Sequence, residues 1–365
     1  MNNKVLFLIL FLSFFVFSCS KNDDDSTQKK HVLKEASNSH KIELHSNNRV
    51  ASLKMSTSEY KSWKQNSEFG SSEASKALFQ DIYKKFEDDY DFIFLILNET
   101  EIPEGLPSGR LLNIKNDIAG IGLSVYDLTN QYGSKGRLNA VMELSKLNYL
   151  TKGPALHELM HNWGNYALPT TNNVHWGFTG GSGKGQLGGF KQSTLIENGN
   201  NSYTVNSFGE NANGGNSVKY NELELYLMGM IPLSSVKPFD NFSEISNVTY
   251  DFENAVSFSE GKYTFNSSSR KTFDSASIEN LLGKREPSHE NSQKDFNLLL
   301  IVLTDKDLSD EEWAVVDDQA AEFGKKGEGS NPEPYTIDGV TYQPSKTYNF
   351  WEATNGKGTL TIGDF

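Results

Sequence analysis

The sequence predicts a mixed α/β or α+β fold, with a sheet of buried strands and helices packed on it. A helix-periodic segment, Ser72 to Phe86, carries Leu78, Phe79, Ile82 and Phe86 between charged residues and is followed by the continuous apolar run Phe92–Leu97. A second run of that kind, Asn297–Leu303, leads into another helix signal. Runs that are apolar at every position suit strands covered on both faces. The chain is 365 residues long with 36% hydrophobic and 12% aromatic content, enough large apolar surface for a substantial core.

Taken in order, residues 1–19 read as a signal peptide: Lys4 in a short leading region, an apolar stretch from Val5 to Phe17, then Ser18 and Cys19. The stretch is too short for a comfortable membrane span. Val16-Phe17-Ser18-Cys19 resembles the lipobox of bacterial lipoproteins, with Val16 where leucine is usual. The resemblance implies that Cys19 is lipidated, by acyl chains such as palmitate, and becomes the mature N-terminus. Cys19 is the only cysteine, which excludes a disulfide framework or a cysteine metal site in everything after it. Residues 20–39 are polar and read as a flexible tether. Asp23-Asp24-Asp25, close behind the cysteine, resembles the surface-export signal of Bacteroidota lipoproteins. That resemblance implies a protein held at the outer membrane and exposed at the cell surface.

Residues 40–330 are expected to form one large domain and 331–365 a small β segment; there is no internal repeat. Short β-compatible pieces, Ile121–Tyr126 and Leu138–Leu144, precede a helix that opens at Gly153-Pro154, where the missing proline N–H is harmless, and stops at Gly164. Residues 170–218, rich in Gly, Asn, Ser and Thr, read as a long loop of the kind that carries function. Asn221 is placed to cap a helix over Glu222–Met230, stopped by Pro232. Ser309 and Glu312 form a capping-box pattern in front of a helix over Asp310–Phe323.

The chemistry concentrates in His157-Glu158-Leu159-Met160-His161. Two histidines four apart on a helix lie on one face, one turn apart, so both imidazoles can meet a single cation. Chance would supply only about 0.01 such matches in a chain with this many histidines and glutamates. The motif is the HExxH signature and is identified as that of the zincin metallopeptidases. The resemblance implies a zincin-like catalytic domain with a mixed sheet and an active-site helix, zinc held by His157 and His161, and Glu158 as general base and then acid. The eight residues His157 to Gly164 also match the start of the metzincin pattern, whose third histidine falls at Ala167 here, so a third ligand has to come from elsewhere.

His175, in His175-Trp176-Gly177-Phe178, lies where the chain could turn back across the metal after Gly164 and is the first choice. The alternative is Glu224, a carboxylate in the apolar helical stretch from Tyr220 to Met230, as in gluzincins, whose third ligand is a glutamate on a downstream helix. Tyr220 or Tyr226 could donate to an oxyanion, and Met228 could stand beneath the metal as the metzincin methionine does. The stretch from His157 to about Pro232 also resembles a group of uncharacterised secreted bacterial zincin-like proteins.

With 34 Lys+Arg against 47 Asp+Glu the net charge is −13, which argues against a nucleic-acid partner. Gly180-Gly181-Ser182-Gly183-Lys184-Gly185 has the wrong glycine-to-lysine spacing for a phosphate loop and reads as a mobile loop beside the cleft. The expectation is a membrane-anchored zinc metallohydrolase acting on a protein or peptide, most simply an endopeptidase. The competing readings are a non-catalytic binding lipoprotein on a zincin scaffold, for glycans or host proteins, and a zinc hydrolase of non-peptide amides or esters. An extended substrate is expected to pair with Leu138–Leu144 as an edge strand.

Overall fold

The computed structural model describes residues 40–65, 68–169, 174–206, 208–209, 215–251, 261–337 and 340–365. The signal peptide, Cys19 and the tether lie outside the described residues. The centre is a seven-stranded mixed sheet whose path runs Lys41–Leu44, Val50–Lys54, Asp295–Thr304, Phe92–Leu97, Ala140–Leu144, Gly109–Asn113. Thr359–Ile362 also pairs with Asp295–Thr304, parallel to it. The four inner strands, Val50–Lys54 to Ala140–Leu144, are parallel, and the two outer pairings are antiparallel.

The apolar runs make sense as the middle of this sheet, because alternate side chains enter two different cores. Phe92, Phe94, Ile96, Met142, Leu298, Leu300 and Val302 face one layer, which holds the HExxH helix and the helix Asp310–Phe323. Ile93, Leu95, Leu97, Val141, Leu299 and Ile301 face the other, covered by the helices Thr57–Lys64 and Glu73–Lys85. Ser72 caps the latter by accepting from the Ser75 N–H, and Ser309 and Glu312 form the expected reciprocal box.

Several expectations are corrected. Leu138–Leu144 contains a strand, Ala140–Leu144, but it is hydrogen-bonded on both sides; the strand at that end of the sheet is Gly109–Asn113. The helix after Asn221 ends at Leu227 rather than Met230, because Gly229 adopts φ 79° and lets the Met230 N–H reach back to the Leu225 carbonyl. In the last segment Tyr335–Ile337 and Val340–Tyr342 pair as a two-stranded sheet, but Phe350–Ala353 is helical and Thr359–Ile362 belongs to the central sheet. Ile121–Tyr126 forms no strand apart from its last residue. The expected loop 170–218 contains strands Ile196–Gly199 and Ser202–Asn206, which join Lys262–Phe273 and Phe239–Asp251 in a second sheet packed on Phe178, Phe190, Phe242 and Phe265.

Candidate metal centre

The HExxH helix spans Ala155–Gly164 after the N-cap Pro154. Leu156, Leu159, Met160 and Trp163 follow the helical period and are buried against the sheet, Trp163 meeting Phe92 edge-on at 6.0 Å. That packing rolls His157 and His161 to the opposite side. Gly164 is needed for closeness rather than for a turn: a β-carbon there would lie 2.5 Å from Leu187 Cδ1, and the residue has no left-handed φ.

His157, His161 and His175 converge, with ligand-capable nitrogens all within 4.8 Å of one another. The Nε2 atoms of His161 and His175 each stand 3.2 Å from Nε2 of His157. The other ring nitrogens decide the tautomers. His157 Nδ1 is 2.5 Å from the Gln186 carbonyl oxygen and His161 Nδ1 is 2.5 Å from Asn165 Oδ1, so each Nδ1 carries the proton and donates it. Both Nε2 atoms then present lone pairs to each other across a short gap, an arrangement that a shared cation resolves. Two imidazoles on one tetrahedral ion with bonds of ~2.0–2.1 Å stand about 3.3 Å apart, which these residues fit. Burial holds all three imidazoles below the ordinary histidine range, in the neutral form that ligates.

Glu158 sits beside this cluster, 8% exposed. Its carboxylate has no hydrogen-bond or ion-pair partner among the described residues, and burial alone pushes its pKa up to about 8. The two histidines, Glu158 and His175 line a cleft of about 760 Å³ together with Pro107 to Leu111, Tyr149 and Lys152. Gly109 makes room for the glutamate, since a β-carbon there would fall 2.8 Å from Glu158 Cγ.

The other candidates lie elsewhere. Glu224 is fully buried and does not join the histidines; its carboxylate accepts from the backbone N–H groups of Leu187 and Asn221, each at 2.9 Å. The Tyr220 hydroxyl donates to the Leu156 carbonyl at 2.9 Å and is buried, so it is not free to serve an oxyanion. Tyr226 is buried and does not line the cleft. Met228 borders a different cavity, with Trp163 and Arg285. The Gly180–Gly185 loop is also away from the cleft lining; its Ser182 N–H donates to the Glu222 carboxylate, which occupies the place an anion would take. Ala167, at the metzincin histidine position, is buried and apolar.

Gln186, Asn165 and Gly109 contribute to the site without having been singled out. Asn165 had a signal, its i+4 spacing from His161; the other two act through backbone placement that the local sequence does not display. Compared with known proteins, the chain matches no protein-family profile, no curated protein and no solved structure.

Proposed function

We propose that this chain is a zinc-dependent hydrolase of peptide bonds, anchored through a lipidated Cys19 at the outer face of a bacterial outer membrane. The observation that carries the activity is the convergence of three neutral imidazoles beside a buried carboxylate, without a partner among the described residues, in the wall of an open cleft. An all-imidazole set with no thiolate suits zinc, and three protein ligands leave the open position that catalysis requires. When bound, the cation supplies Lewis acidity to a carbonyl and lowers the pKa of water to ~7.

The chain's own residues do the rest. Gln186 and Asn165 fix the orientation of His157 and His161, so the cation's place is set before it arrives. Glu158 takes a proton from water and returns it to the leaving amine, a role that suits a carboxylate whose proton affinity is raised by burial. The edge strand Gly109–Asn113, whose first residues line the cleft, offers an extended peptide a line of backbone partners.

Glu158→Gln should keep one zinc per chain while peptide turnover falls by about 10²–10⁴ or more. His157→Ala should lose both. Metal analysis of the purified protein with turnover of a mixed peptide library measures the pair; full turnover in Glu158→Gln removes the mechanism, and a metal-free wild type removes the enzyme.

A further inference from the structure

One short turn, Gly185–Gly188, holds the His157 imidazole and the backbone next to His175, and we propose that the buried carboxylate of Glu224 is the positioning residue that sets this turn and thereby the metal affinity of the site. The inference rests on the reading that the histidines hold zinc. Gln186 accepts from His157 Nδ1 at 2.5 Å, and the next carbonyl, of Leu187, accepts from the Trp176 N–H at 2.7 Å. Trp176 directly follows His175, and its Nε1 donates to the Gly164 carbonyl at 3.1 Å, closing the loop onto the end of the HExxH helix. Two successive carbonyls of one turn therefore hold the ring of one ligand and the chain beside another, ligands 18 residues apart in sequence.

Glu224 holds that turn from below. Its Oε1 accepts from the Leu187 N–H, and its Oε2 accepts from the Asn221 N–H. Gly185 has no space for a side chain, because a β-carbon would stand 2.5 Å from Glu224 Oε1. The Gln186 side chain adds a tie to the segment leading into the helix Glu222–Leu227, donating to the Val218 carbonyl at 2.6 Å.

A fully buried carboxylate with no cation beside it among the described residues is a poor way to stabilise a core, since an apolar side chain of like size would avoid its desolvation. What the carboxylate supplies is geometry: it accepts a backbone N–H on the turn and one at the helix N-terminus at the same time, so the helix Glu222–Leu227 and the metal centre cannot move independently. Partners that orient metal ligands commonly account for 10–100-fold in metal affinity.

The test measures zinc affinity of the full chain by chelator competition, with cobalt absorption as a report of ligand geometry. Glu224→Ala should weaken zinc about 10–100-fold and alter the cobalt spectrum. Glu224→Gln, which keeps one oxygen for the Leu187 N–H, should fall between it and wild type. Gly185→Ala should weaken zinc in the wild-type background and add little on top of Glu224→Ala; additive losses would overturn the proposal, as would wild-type affinity in a folded Glu224→Ala. Asn221→Ala removes the helix cap and leaves the carboxylate, so an equal loss there would assign the effect to capping and overturn the proposal too. If Glu224→Ala fails to fold, the Gln and Gly185 variants decide. If the wild type binds no zinc, the hydrolase reading fails separately, and the turn is judged in Glu224→Gln by amide exchange at Leu187 and the His157 Hδ1 resonance: faster exchange and a shifted resonance support it, no change overturns it.

Discussion

Gly109 and Arg110 are neighbours on one edge strand, yet they meet two buried glutamates that the fold treats in opposite ways. On the face of Gly109 lies Glu158, without a partner among the described residues and open to the cleft. On the other face lies Glu143, completely buried, accepting from Arg110 Nε at 2.9 Å and from the indole N–H of Trp63. Burial raises the proton affinity of both. Among the described residues, Glu143 alone of the two has a counter-ion and a donor to offset the desolvation. A buried carboxylate with that company ties a strand to its neighbour and to the helix Thr57–Lys64; one without it, beside three imidazoles, is available for proton transfer.

The contrast breaks most visibly in stability. Glu143→Ala strands the Arg110 guanidinium and the Trp63 N–H and should cost about 3–5 kcal/mol in denaturant unfolding, while the folded fraction keeps its metal affinity. Glu158→Gln replaces a buried carboxyl that burial forces to keep its proton in the metal-free protein with a neutral amide, and should change stability by less than about 1 kcal/mol, with a rise the expected sign. Equal losses in the two variants would show that Glu158 is a structural residue as well.

A smaller effect is expected at Gly109, where the two environments join. Its missing side chain leaves Pro154 and Glu158 in place, with a β-carbon falling 2.9 Å from Pro154 Cγ and 2.8 Å from Glu158 Cγ. Gly109→Ala should therefore cost about 1–3 kcal/mol through overpacking and lower turnover more than zinc binding, because the methyl displaces the base and not the ligands. Parallel loss of both quantities would place Gly109 in support of the histidines instead.

How much of this was legible in the sequence follows from what each feature needs. The central strands Phe92–Leu97 and Asp295–Thr304 showed because burial on both faces demands an unbroken apolar run. His157 and His161 showed because helical spacing is local. The edge strand Gly109–Asn113 did not, since GRLLN is half-exposed and too short to display a period. The second sheet was hidden for a related reason: Phe239–Asp251 and Lys262–Phe273 are mostly Ser, Asn, Thr and charge, and their few apolar residues, such as Phe242 and Phe265 beside Phe178 and Phe190, follow no sustained alternation. Glu224 was noticed for being a carboxylate in an apolar stretch, but which partner it meets depends on a turn nearly forty residues upstream, as its hydrogen bond to Leu187 shows.

That edge strand gives the smallest and sharpest expected effect. Ala140–Leu144 occupies one side of Gly109–Asn113, and the strand stands last in the sheet, with Gly109 to Leu111 at the cleft. A substrate added there as a further strand turns every second N–H towards the protein, and each such hydrogen bond contributes about 0.5–1.5 kcal/mol. Methylating one backbone nitrogen at a time along a cleaved peptide should thus lower kcat/KM by roughly 2–12-fold at alternate positions and leave the intervening ones nearly unaffected. A flat profile would mean that the peptide is held by its side chains alone, and the edge strand would then be a wall of the cleft without a part in recognition.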